Sequence, residues 1–149
     1  MNLERLYFLR ENTELTQEEM GAIIGVKKFS ISNWEHSKEI IPLDKLNIYS
    51  NYFNISMDYI LKLTNNKQAS LKIETLDKIE IGKKIKKIRT ENNLSQRELA
   101  TILNTTHSVI WSYETGKNLI LTAFAFEICK HFNISLDWLC GKKEKSTID

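Results

Sequence analysis

A formal net charge of only +2 over 149 residues excludes a bulk polycation, so any nucleic acid must be met by local clusters of charge. No apolar run approaches the ~20 residues of a membrane span, and the charged, amphipathic start MNLERLYFLREN does not read as a signal peptide. Cys129 and Cys140 lack any His or Cys at zinc spacing, which points to reduced thiols in a cytoplasmic protein and to neither a disulfide nor a metal site.

Leu3, Leu6 and Leu9 give the first predicted helix an apolar stripe, which runs out through Arg10, Glu11 and Asn12 into a turn. Thr16 is an N-cap residue and Glu19, three places on, completes a capping box, so a second helix starts there and carries Met20, Ile23 and Ile24 at helical spacing. Gly25 suits the left-handed turn that ends it. A third helix is expected from about Lys28 to Glu35, with Ile31 and Trp34 inward. Pro42 fits the first turn of a fourth, whose inner face is Leu43, Leu46, Tyr49 and Phe53, and Ser56 caps a short fifth. The following stretch opens with polar, turn-prone residues. Its second part, with Leu71, Ile73, Leu76 and Ile79, is too apolar to stay solvated and is expected to pack as a helix or an extended arm.

From about Ile81 the pattern begins again. LTQEEMGAIIGVKKFSISNWEHSK returns 79 residues later as LSQRELATILNTTHSVIWSYETGK. Ser95 and Glu98 repeat the capping box, Leu99, Ile102 and Leu103 the apolar face, and Asn104 the role of Gly25. Ile110 and Tyr113 stand for Ile31 and Trp34, while Gly21 and Ala100 leave room where the two helices approach. The fourth helix of this copy, from about Thr122 to His131, is more apolar than one inner face needs; Cys129 lies on that face, and Ser135 caps the fifth helix. The chain therefore divides into a helix-turn-helix domain over residues 1–64, a linker over 65–80, a second domain over 81–141 and a flexible tail over 142–149. Each copy is near the lower size limit for a self-sufficient helical core, which favours packing of one on the other. Residues 1–66 hold 7 Lys or Arg against 9 Asp or Glu and residues 80–149 hold 11 against 8, so the second copy is the more basic.

These segments, with FNISMDYIL and FNISLDWL downstream, resemble the Cro and phage-repressor class of helix-turn-helix domains, the XRE-like family. The resemblance implies an all-α fold of two tandem five-helix lambda-repressor-like DNA-binding domains, whose third helices enter the major groove of double-stranded DNA. Carried over position by position, it implies base contacts from Lys27, Lys28, Phe29 and Asn33 in the first copy and from Thr106, His107, Ser108 and Ser112 in the second. These residue types can meet base edges or a thymine methyl. Gln17 and Gln96 match the family's phosphate-contacting glutamine, with Asn12, Lys38 and Lys117 flanking them; such contacts set register rather than sequence preference. The family places Gly where Ser37 stands, and a left-handed Ser costs roughly 1 kcal/mol more than Gly, so this helix end is expected to be remodelled.

Trp111 stands where the first copy has Ser32, on the outer side of the third helix, and so marks a contact, with protein favoured over DNA backbone. Ile40 and Ile41 in one copy, and Leu119 and Ile120 with Phe124 in the other, are apolar where a lone domain would carry polar loop. They are expected to pack about an approximate two-fold axis as a pseudo-dimer within the chain; a homodimer built on the same patches is the rival. His36, His107 and His131 are dispersed, and no nucleophile elbow, phosphate-cradling loop or metal-ligand cluster is present, so neither catalysis nor a cofactor is expected. The reading is a sequence-specific DNA-binding transcriptional regulator, a repressor acting by promoter occlusion. Its competitor is a protein-interaction module whose helix-turn-helix units have partly lost DNA binding, favoured by the weak net charge, Trp111 and the apolar fourth helix.

Overall fold

The computed structural model of the chain describes residues 1–148. The first repeat comprises α1 (Glu4–Asn12), α2 (Gln17–Ile24), α3 (Lys28–Glu35), α4 (Leu43–Phe53) and α5 (Met57–Ile60). The second comprises α6 (Lys78–Glu91), α7 (Gln96–Leu103), α8 (His107–Glu114), α9 (Thr122–Phe132) and α10 (Leu136–Leu139). Among the described residues there is no strand, so the chain is all-α with two helix-turn-helix domains in tandem.

Local chemistry sets most boundaries. The Thr16 hydroxyl accepts from the Glu19 amide at 3.0 Å while the Glu19 carboxylate accepts from the Thr16 amide at 3.0 Å, and Ser95 with Glu98 does the same at 3.0 and 2.9 Å. Such a cap contributes about 1 kcal/mol, because amides of the first turn have no partner within the helix. Gly25, Asn54, Asn104 and Asn133 close α2, α4, α7 and α9 in the left-handed region. Behind the caps, Leu6, Met20, Ile31, Leu46 and Ile60 fill the first core, and Ile85, Leu99, Ile110, Ile128 and Leu139 fill the second.

The two cores join through α5 and α10. The Asp137 carboxylate accepts from the amides of Met57 and Asp58 at 3.0 and 2.9 Å. In return the Asp58 carboxylate accepts from the Leu136 amide at 2.6 Å and the Ser135 hydroxyl at 2.5 Å. Nearby, the Thr122 hydroxyl donates to the Ile41 carbonyl at 2.6 Å. The positions are 79 residues apart, so the joint is an approximate two-fold built from the repeat itself.

Three expectations change. The linker ends before residue 80, since α6 begins at Lys78, where the Asp77 side chain accepts from the amides of Ile79 and Glu80. Before it the chain runs as an extended arm, held where the Asn47 and Asn51 amides donate to the Ile73 carbonyl at 2.7 and 2.8 Å. The segment after 141 is not a free tail: Lys142 is buried and donates to Asn47, Ser50 and Asn51, its carbonyl accepts from the Leu71 amide, and the Ser146 carbonyl accepts from the Ser135 amide. The last residue of that expected tail, Asp149, lies outside the described residues. The end of α3 is not remodelled either. Ser37 takes φ +56° and its hydroxyl accepts from the Leu3 amide at 3.2 Å, a bond that Gly could not offer and that offsets the left-handed strain.

Candidate nucleic-acid interface

In each repeat the second and third helices meet across a turn that leaves almost no space. A Cβ on Gly21 would lie 2.6 Å from the Val26 carbonyl oxygen, so the α2–α3 approach depends on the missing side chain, whereas Ala100 fills the same place at the α7–α8 turn. What fixes the third helix against the rest is an ion pair in the interior. Arg10 reaches both oxygens of Glu35, at 2.6 and 2.9 Å, and donates a further bond to the Leu15 carbonyl at 2.8 Å; the Gln17 side chain donates to the same Glu35 at 3.2 Å. Arg89, Glu114, Leu94 and Gln96 repeat the arrangement at 2.6, 2.9, 2.9 and 3.2 Å. Each carboxylate thus ties the first, second and third helices of its repeat together. The hydrogen bond that each guanidinium donates to its carboxylate, opposed by desolvation, raises the pKa of both arginines. Bidentate geometry is what lets a buried pair offset its desolvation.

With the third helix fixed, its outward side is defined. Lys27 is the N-cap of α3, and Lys27, Lys28 and Phe29 are exposed while Asn33 is half-buried. In the second repeat Thr106 is the N-cap of α8 and is exposed with Ser108; His107 is half-buried. Ser112 is a correction. It is buried and its hydroxyl donates to the Val109 carbonyl at 2.7 Å, so it is turned into the helix rather than toward a groove. Trp111 is 48% exposed on the outward side of α8, and the other repeat does not cover it. The outer surfaces of the two third helices are therefore basic with one phenyl ring in α3, and neutral with one indole in α8.

Of the residues expected to meet phosphate, Asn12, Lys38 and Lys117 are exposed. Gln17 and Gln96 are half-buried, each with its amide nitrogen held by the interior carboxylate, which orients the side chain at the start of the second helix. The expected joint is brought together only in part. Ile41 and Ile120 are buried and Leu119 and Phe124 half-buried, the Phe124 ring 6.3 Å from that of Tyr113, but Ile40 stays 43% exposed. Ile40 and Trp111 thus lie outside the packed joint, whose centre is the Asp58–Asp137 pair.

Sequence reasoning missed four groups: the two Arg–Glu pairs, the aspartate pair and Lys142. The signal for the first three was the repeat, because Arg, Glu and Asp recur unchanged at the same offset in elements where most other residues vary. Among the described residues no group of three or more His, Cys, Asp or Glu could hold a metal ion. Both cysteines are buried free thiols, pushed up in pKa by desolvation. No helix among the described residues is long and apolar enough to cross a membrane.

A capped helix, tight turn and fixed outward helix, present twice, define a helix-turn-helix DNA-binding protein. Comparison with known proteins agrees: a helix-turn-helix domain model matches residues 3–66 and a second helix-turn-helix model matches residues 85–139. The chain is 36% identical over 76 residues, 51% of its own length and 68% of the other's, to the uncharacterized HTH-type transcriptional regulator YobD of Bacillus subtilis (strain 168). The chain belongs to the XRE-like helix-turn-helix family of DNA-binding transcriptional regulators.

Proposed function

We propose that this chain is a repressor that binds double-stranded DNA as a covalent pseudo-dimer, with α3 and α8 entering successive major grooves of one site. The observation that supports the reading is the reciprocal aspartate joint, which pairs the two repeats within one chain as two half-sites on one duplex would require. Lys27, Lys28, Phe29 and Asn33 read one half-site; Thr106, His107 and Ser108 read the other. Gln17, Gln96, Asn12, Lys38 and Lys117 meet phosphate and set register. The two surfaces share no chemistry, so the preferred operator is not palindromic. Repression follows from occupancy of a promoter in the cytoplasm and requires no catalytic step.

The test is selection of bound genomic fragments followed by binding at two salt concentrations. Affinity should fall steeply with salt through counterion release. Lys28→Ala with Asn33→Ala should relax one half-site, and His107→Ala with Ser108→Ala the other. A chain that binds no fragment at low salt would be an interaction module instead, a reading favoured by the exposed indole of Trp111 and by Ile40.

A further inference from the structure

We propose that Lys142 is a positioning residue for DNA binding: it braces the second repeat and the linker arm against α4 of the first, and so holds α3 and α8 at one spacing. The observation is a set of ties that break the internal symmetry of the chain. The aspartate joint is reciprocal, each repeat giving what it takes, and it sits at the centre of the pair. Contacts at the centre make a pivot. A brace has to act away from it.

Lys142 and Leu63 occupy the same place in their repeats. Each follows a left-handed residue, Gly141 or Lys62. Each also donates its amide to the aspartate five places before it, Lys142 to the Asp137 carbonyl at 2.7 Å and Leu63 to the Asp58 carbonyl at 2.9 Å. Their side chains differ in kind. Leu63 is half-buried and borders an open cleft with Phe126 of α9. Lys142 is 1% exposed, and its ammonium donates to Asn47, Ser50 and Asn51 of α4 at 2.7, 2.7 and 3.1 Å. Those acceptors stand three and four places apart, on one face of the helix. A lysine ammonium has three donors, so all of them are met by the other repeat. In α9 the same places hold Phe126, Cys129 and Lys130, which offer no side-chain oxygen. Burying an ammonium is costly unless such a set of acceptors meets it, and that set exists on one side of the pair only.

The linker is fastened at the same point. The Leu71 amide donates to the Lys142 carbonyl at 2.8 Å. The side chains of Asn47 and Asn51, whose oxygens hold the ammonium, donate through their nitrogens to the Ile73 carbonyl at 2.7 and 2.8 Å. One cluster thus ties together α4, the arm and the segment after α10. Thr122 adds a second one-sided tie to the Ile41 carbonyl, since its counterpart Leu43 has no hydroxyl to give to Ile120. Both ties run from the second repeat to the first.

Lys142→Met keeps an unbranched side chain but removes the ammonium, and Lys142→Leu copies what the first repeat carries. Hydrogen exchange of the free full chain is the first measurement. In both variants the Leu71 amide should exchange at least about tenfold faster, while the amides of Met57 and Asp58 in the aspartate joint keep wild-type protection. Asn51→Ala, at a half-buried place on the receiving helix, should act in the same direction and serves where a lysine variant fails to fold. The second measurement rests on the reading of the chain as a DNA-binding pseudo-dimer: affinity for a selected fragment with one base pair inserted between its half-sites. The insertion turns one half-site by about 35° about the duplex axis, so wild type should lose at least about tenfold and the variants no more than about threefold. Unchanged Leu71 exchange in Lys142→Met overturns the brace, whether or not DNA is bound. So does a variant that keeps the wild-type dependence on spacing. A chain that binds no fragment overturns the DNA role together with the repressor reading, whereas faster Leu71 exchange would still establish the brace between the repeats.

Discussion

Asp58 and Asp137 each cap the helix that carries the other: Asp58 accepts from the first amide of α10, and Asp137 from the first two amides of α5. All three amides are buried, and neither carboxylate is more than 3% exposed. Asp137→Ala would leave the amides of Met57 and Asp58 without their acceptor. An unsatisfied buried amide costs about 1–3 kcal/mol, so urea unfolding should show a loss of about 3 kcal/mol. A loss below about 0.5 kcal/mol, the usual scatter of surface changes, would mean the joint contributes nothing.

The same pair makes stability depend on pH. Burial first, and the charge of Asp137 second, push the Asp58 carboxyl up to about 7. The groups that face it are Asp137, the Ser135 hydroxyl and the Leu136 amide, with Cys129 and Cys140 near and Lys142 acting on Asp137. The folded chain therefore holds a proton on Asp58 that the unfolded chain releases, so this carboxyl's contribution to stability is full below about pH 4 and is lost as pH rises through about 7. Lys142 acts in the opposite sense at higher pH: burial pushes it down to about 8, so stability rises between about 8 and 10.5 as the unfolded chain also loses that proton. Asp58→Asn keeps an acceptor for Leu136 and should remove the first slope while leaving the second. Equal wild-type stability at about pH 5 and at neutral pH would refute the assignment.

The interior Arg–Glu pairs predict an asymmetry between single and double substitution. Glu35→Ala strands the Arg10 guanidinium in the core and should cost about 3–5 kcal/mol, as should Glu114→Ala for Arg89. Arg10→Met with Glu35→Leu removes both charges and should recover most of that loss. Denaturant unfolding of the three variants decides it; a double variant no better than Glu35→Ala would show that packing, and not the stranded charge, sets the loss.

Gly116 and Ser37 close the same helix in the two repeats but tolerate change differently. Gly116 has φ +74° and a Cβ there would sit 2.8 Å from the Ile79 Cα, so Gly116→Ala should lose at least about 2 kcal/mol from strain and displacement of the α6 start. Ser37→Gly relieves a left-handed residue but removes the acceptor for the Leu3 amide, and these should nearly cancel. Thermal melts of both variants give the comparison.

The helices and their caps were legible because the chemistry that starts and stops them is local: Thr16 with Glu19, Ser95 with Glu98, and left-handed Gly25 and Asn104 all act within a few residues. The extent of α3, Lys28–Glu35, follows from that frame. The joint was only partly legible. Apolarity marked Ile41 and Ile120, but a carboxylate that caps a helix 79 residues away leaves no trace in local spacing, since Asp58 and Asp137 each look like first-turn acids of their own helices. Lys142 was hidden for the same reason: a lysine in GKKEK reads as solvated until Asn47, Ser50 and Asn51 are seen to converge on it. Ser112 failed differently, because position on the third helix was carried over without its hydroxyl's alternative partner, the Val109 carbonyl.

The central claim is that one chain supplies both halves of a DNA-binding pseudo-dimer. Native mass spectrometry of the complex with a selected fragment, at micromolar protein, measures it directly. One chain of 17.4 kDa per site is the expected result. Two chains per site, with the second lost on Ile40→Asp or Leu119→Asp, would contradict it and identify a homodimer instead.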